Sequence, residues 1–152
     1  SFVGSILYKA DLTTEIDNTT PILLVGAPVI LQGAAATSLT GFTVTPGQCQ
    51  LTYTGLENIE ISAYIGLSGR AGDVPGIDNA RFDMSFYKNS VKQAGKTSSQ
   101  LDTTTENPKE MSLMRNLTLA TGDVLDVRVI NQTLTNSLIT NCWTLSLHKI
   151  GY

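Results

Sequence analysis

Along much of this chain apolar and polar residues alternate strictly, and no other feature restricts the possible folds so sharply. Ile59, Ile61, Ala63, Ile65 and Leu67 fall in one phase, with Glu60, Ser62, Tyr64 and Gly66 in the other. Successive side chains of an extended strand point to opposite faces, so this segment has one apolar face and one more polar face. Phe82, Met84 and Phe86 stand in the same way against Arg81, Asp83, Ser85 and Tyr87. Leu125, Val127 and Val129 oppose Asp126 and Arg128, and Trp143, Leu145 and Leu147 oppose Thr144, Ser146 and His148. One dry and one wetter face is the pattern of antiparallel sheets. The spacing predicts an all-β chain, an antiparallel β-sandwich of about eight to ten strands.

Turn residues punctuate these runs. Pro46-Gly47 separates residues 42–45 from 48–53, and Thr121-Gly122-Asp123 joins 117–120 to 124–130. Lys88-Asn89-Ser90 is expected to close a hairpin into a strand over 91–97. Two longer loops are expected, 69–79 with its glycines and 98–108 rich in Thr and Asp; loops of this length are often functional. Asn107-Pro108-Lys109-Glu110 has the chemistry of a helix start, and Met111, Met114 and Leu117 recur every three residues. The rival pattern puts Met111, Leu113, Leu117 and Leu119 on one strand face, interrupted by Arg115. The strand is favoured, because the Gly-Asp turn that follows leads directly into another strand. The start is less regular. Phe2, Val3, Ile6, Leu7 and Tyr8 are too apolar to float in water and form either a first strand or an arm that docks on a neighbour. Residues 1–20 are read as that arm or strand, and 21–152 as a single domain.

Composition narrows the partners. Charged residues make up 15% of the 152, well below the usual quarter, so Ser, Thr, Asn, Gln and Gly carry much of the surface. Little charge then has to be desolvated in a protein contact. The net charge is −3 and no basic cluster occurs, which argues against nucleic acid as a partner. No run approaches the roughly 18 apolar residues of a membrane-spanning helix, so a membrane is not expected either. Ser1-Phe2-Val3-Gly4-Ser5 lacks the basic start of a secretory signal, and the chain is expected to be nearly full length. Two cysteines, Cys49 and Cys142, are too few for a disulfide scaffold; Cys49 is in phase with Leu51 and Tyr53 and reads as a buried thiol.

No catalytic residue, metal ligand or cofactor site is predicted, and the chain is expected not to be an enzyme. His148 is the sole histidine and lies in the polar phase beside Lys149, as surface histidines do. Gly95-Lys96-Thr97 matches the end of a phosphate-binding loop, but Ser90 stands where its first Gly is required. Asp73, Asp78, Asp102 and Glu106 lie in the two long loops without calcium-site spacing. The triplets at Asn18, Asn116 and Asn131 fit the glycosylation pattern, which arises often in a Thr-rich chain.

Taken in order, the motifs resemble a family. Gly41-Phe42-Thr43-Val44-Thr45, then Leu51-Thr52-Tyr53-Thr54-Gly55, then the strand 59–67 resemble the front half of the trimeric jelly rolls related to tumour necrosis factor (TNF) and C1q, in the version found in bacteriophage virion proteins. Residues 82–87 with Lys88-Asn89, then Leu119-Ala120-Thr121-Gly122-Asp123-Val124, then 143–150 continue the likeness, which spans roughly residues 22 to 152. The resemblance implies a TNF/C1q-like jelly roll that forms a homotrimer. Tyr64, Tyr87 and Tyr152 are the expected interface residues, with Tyr64 and Tyr152 nearest the threefold axis. A stalk ahead of the domain is not expected, which favours a capsid decoration or cement protein on the virion surface, bound to the major capsid protein or another virion protein. Phe2, Val3, Ile6, Leu7 and Tyr8 would be its clamp. The alternative is a fibre or spike head that binds a host receptor or glycan through loops 69–79 and 98–108. A secreted C1q-like or cytokine-like ligand is a third reading, which the missing secretory signal disfavours.

Overall fold

The alternating segments are strands. The computed structural model describes residues 7–72 and 79–150. Among these residues it contains no helix and thirteen strands: β1 (Lys9–Thr14), β2 (Asn18–Thr20), β3 (Val29–Ile30), β4 (Ala35–Thr40), β5 (Phe42–Val44), β6 (Gln50–Tyr53), β7 (Ile59–Ala71), β8 (Asn79–Lys88), β9 (Val91–Lys92), β10 (Thr97–Asp102), β11 (Lys109–Leu119), β12 (Val124–Asn131) and β13 (Leu138–Lys149). The surplus over the expected eight to ten consists of pieces two or three residues long, β2, β3, β5 and β9, too short to alternate visibly.

Two antiparallel sheets face each other. The first runs β11-β7-β13-β1-β4, with β2 added beside β13; the second runs β10-β8-β12-β6-β5, with β3 on β12 and β9 on β8. The chain crosses repeatedly between sheets, from β7 to β8, from β10 to β11 and from β12 to β13, which makes the sandwich a jelly roll. Between the sheets lie Ile61, Ile65, Trp143, Leu145 and Leu147 from one side and Phe82, Met84, Phe86, Leu125, Val127 and Val129 from the other. The buried Trp143 indole donates to the Gln32 carbonyl at 3.0 Å, so its one polar atom is satisfied. Cys49 is buried and free, and burial pushes its thiol well above the ordinary range. Cys142 is free and exposed on β13.

Several expectations for local structure need adjustment. The segment 91–97 is not one strand. β9 ends at Lys92, a turn with Gly95 at φ 97° follows, and β10 begins at Thr97. The strand favoured over 109–119 is the one found, because pairing along β7 from Lys109↔Gly69 to Leu119↔Ile59 satisfies the backbone that a helix would otherwise satisfy internally. Lys9–Thr14 lies inside the first sheet, between β13 and β4, so residues 9–20 belong to the sandwich and any arm is confined to what precedes them.

Two turns lock together. Asn89 and Ser90 have φ of 50° and 66°, the left-handed pair of a tight hairpin turn between β8 and β9. The Asn89 amide donates to Asp123 Oδ1 at 2.9 Å and its oxygen accepts the Val124 N–H at 2.9 Å, while Asp123 Oδ2 accepts the Ala120 N–H at 2.8 Å. One side chain thus ties two hairpin ends that are distant in sequence. Asn89→Ala removes both side-chain bonds and places a Cβ without a compensating bond at positive φ. It should cost about 1–2 kcal/mol in chemical denaturation, and Asn89→Gly should cost less because the backbone strain is absent.

Candidate functional site

The outward faces of the two sheets differ in how they are covered. On the second sheet, polar residues of β8 and β12 are sealed by their own neighbours. Asp83 is buried and accepts from Ser98, from Gln132 at 2.9 Å and from Lys96 at 3.3 Å, with Arg81 at 3.5 Å. Asp126, also buried, binds Arg128 at 2.8 Å and Gln50 at 3.0 Å. The Arg128 guanidinium lies 4.8 Å over the Tyr87 ring. Both buried carboxylates are paired, so this surface reads as structure and not as a reactive site. Lys96 of the loop-like Gly95-Lys96-Thr97 motif is engaged with Asp83 and is not arranged to cradle a phosphate.

The first sheet is bare on its outward side. The register aligns Met114, Tyr64, Ser146, Asp11 and Ser38 in one row across β11, β7, β13, β1 and β4. The next row in one direction holds Ser112, Gly66, Thr144 and Thr13. Its middle rows are mostly small and hydroxylated, and two large hydrophobic side chains project from them: Met114, 68% exposed, and Tyr64, 38% exposed. A Cβ on Gly66 would collide with the Tyr64 hydroxyl, so the ring lies along its own strand over the glycine. Beside it is an open trough of about 590 Å³ lined by Tyr64, Gly66, Ser68, Glu110, Ser112, Cys142 and Thr144. Broad, weakly charged and studded with an aromatic and a methionine, the face has the make-up of a protein contact.

A second exposed feature escaped the sequence reading. Between β2 and β3, Leu23, Leu24 and Val25 are 82%, 68% and 50% exposed. They sit on a tight turn. The Ala27 N–H donates to the Leu24 carbonyl at 3.3 Å, Gly26 takes φ 78°, and its N–H donates to the Asn131 carbonyl at 2.9 Å. Ile22, buried just before them, anchors the turn to the core. The signal was available: an apolar run between Pro21 and Pro28 that does not alternate, within a stretch from Asp17 to Glu57 that carries no charge between those two residues.

The predicted site residues do not form one set. Tyr64 faces outward on the first sheet, but Tyr87 is buried on the second beneath Arg128. Tyr64 and Tyr87 therefore lie on different sheets and do not share a face. Tyr8 is also buried, edge-on to Tyr53 at 5.5 Å, because Gly41 opens room for its ring; it packs in its own core. Leu7 is exposed. Phe2, Val3, Ile6 and Tyr152 lie outside the described residues, as do Asp73 and Asp78. Asp102 caps its own turn through the Thr104 N–H at 3.1 Å. His148 is exposed on β13. Among the described residues, no three His, Cys, Asp or Glu side chains are grouped to hold a metal ion, and no helix is long and apolar enough to cross a membrane.

Sheet order, crossovers and register define the class of fold: a TNF-like jelly roll. Solved structures that share it include the Eiger TNF of S. frugiperda, with a TM-score of 0.58 at 13% identity over 97% of this chain and 94% of that one. Murine APRIL matches with a TM-score of 0.53 at 11% identity, covering 93% of this chain and 99% of the other. The vertex protein P5 of PRD1 matches with a TM-score of 0.51 at 13% identity, covering 97% of this chain and all of that one (100%). No protein-family model and no curated protein sequence matches the chain.

The Asp83 cluster makes a pH prediction. Burial alone would raise this carboxyl, but the bonds from Ser98, Gln132 and Lys96 and the Lys96 charge outweigh it and hold it below the ordinary carboxylate range. A depressed carboxyl stabilises the fold above its unfolded pKa, and that contribution is lost as pH falls through the folded value. The thermal stability of the native chain should therefore fall below about pH 4. Asp83→Asn should be less stable at neutral pH and show a shallower acid limb; parallel limbs for the two proteins would remove Asp83 as a source of acid lability.

Proposed function

We propose that this chain is a non-enzymatic structural protein of a virus particle, a homotrimer that decorates and stabilises the capsid surface. The observation that carries the reading is the bare outward face of the first sheet. A sandwich of this size has little reason to leave a broad hydroxylated face with Tyr64 and Met114 standing out of it, unless another subunit covers it. The likeness to the PRD1 vertex protein supports the viral setting, and the TNF-like fold of all three neighbours is compatible with association of like subunits.

In this reading the shell partner is met by the Leu23-Leu24-Val25 turn. Three copies would present three apolar tips at one end of the trimer, and simultaneous engagement converts weak single contacts into firm attachment. The turn is pinned by its hydrogen bonds and by Ile22, so little order has to be imposed on binding. Lys9 opens β1 at its other end, beside Thr40 and His148.

Native mass spectrometry of the purified chain should give a trimer, and Tyr64→Arg should shift it towards monomer by placing three charges in the contact. A mass of one chain at micromolar concentration would sink the proposal. Rebinding to virus shells stripped of this protein tests the second part. The double substitution Leu23→Ser with Leu24→Ser should abolish attachment while the trimer persists. If removal of residues 1–7 abolishes it and the double substitution does not, the clamp is the N-terminal segment.

A further inference from the structure

Arg115 is the residue of β11 that its own chain does not explain. It falls in the phase of Met111, Leu117 and Leu119, all buried, yet it is exposed. The reason is position: β11 is the outer strand of the first sheet, so its flank is open to whatever lies beside the subunit. Among the described residues Arg115 has no ion-pair partner. Asp11 is its counterpart in oddity. It is half-buried, has no ion-pair partner among the described residues, and is the one charge in the row Met114, Tyr64, Ser146, Asp11, Ser38. The other charges of this face lie in other rows, Lys9 and Glu60 towards one end of the sheet and Glu110 and Arg70 towards the other, with His148 in the row of Lys9.

We propose that Arg115 on the flank of one subunit pairs with Asp11 on the exposed face of the next, with Met114 packed against the same row, three times around the trimer. This rests on the trimeric reading above and specifies its contact. We take the threefold axis to run along the strands, so that rotation about it leaves height along the axis unchanged. A flank residue at the level of Met114 therefore meets its neighbour's face at the level of the row that contains Met114. From Met114 that row passes through Tyr64 and Ser146 to Asp11 and Ser38 on the far side of the sheet. The contact is head to tail, flank on face, and such contacts close into a ring when the rotation allows. It also settles a cost within each subunit. Burying Asp11 under a neighbour without a cation would leave an unpaired carboxylate in a dry interface, which is strongly unfavourable. Arg115 supplies a charge of the opposite sign at the right height, and its planar fork suits a carboxylate.

Charge exchange tests the pairing. Sedimentation over a range of concentrations would be run on the native chain, on Asp11→Arg, on Arg115→Asp and on the double exchange, with circular dichroism to confirm that each is folded. Each single variant should raise the trimer dissociation constant roughly tenfold or more, because two like charges then face each other at every contact. The double exchange should recover much of the loss, since it restores opposite charges in the reverse orientation. If the native chain is a trimer and the single variants dissociate no more readily, or the exchange recovers nothing, the pairing is overturned while the trimer stands. A native chain that stays monomeric overturns the trimer and the pairing with it.

Discussion

The pairing of β7 with β13 is the constraint on which the rest of the molecule depends. It runs from Leu138↔Ala71 to Lys149↔Ile61 through the middle of the first sheet, with a bulge between Thr140 and Cys142. Because side chains alternate with period two, this register alone decides which residues enter the core. It sends Trp143, Leu145 and Leu147 inward beside Ile61, Ala63 and Ile65. It sends Tyr64, Ser146 and Thr144 outward. A slip by one residue would bury the hydroxylated row and expose the core, so the outward face is as firmly specified as the interior.

Around that pair the two sheets have become unequal. The second sheet carries its charges outward and covers them itself, through Asp83 with Lys96, Ser98 and Gln132, and through Asp126 with Arg128 over Tyr87. These bonds draw the turn after β9 and the loop after β12 onto β8, which leaves few polar groups unsatisfied there. The first sheet has no such cover. Its outward groups are mostly hydroxyls, which solvent can satisfy and which a neighbour can dehydrate at small cost. One sheet is finished within the subunit, and the other is arranged for contact.

The apolar turn at Leu23 and the lone Arg115 fit the same division. Each would be a liability in a solitary domain, the first as exposed hydrophobic surface and the second as a charge in an apolar phase. Each lies at a margin of the first sheet and its connections, where a second molecule can reach. The rigidity of the turn matters as much as its chemistry, since a pinned apolar tip loses little freedom on docking.

Much of this was legible in the residues. Strict alternation determined that the chain is all-β, which segments are long strands, and which phase of each is apolar. Gly122-Asp123 and Asn89 marked two of the turns, because only certain residues accept their backbone angles or cap their N–H groups. Three things were decided by tertiary structure alone. The first is burial on the polar phase: Tyr64 and Tyr87 look alike in the sequence, but Arg128 folds over one and nothing of the described chain covers the other. The second is the place of residues 9–14, which read equally well as an arm until β13 and β4 flank them. The third is the row that joins Met114 to Asp11, residues far apart in the chain. Period two reports only that a side chain points to one face or the other. What lies over that face is set by segments distant in sequence, and no local pattern encodes them.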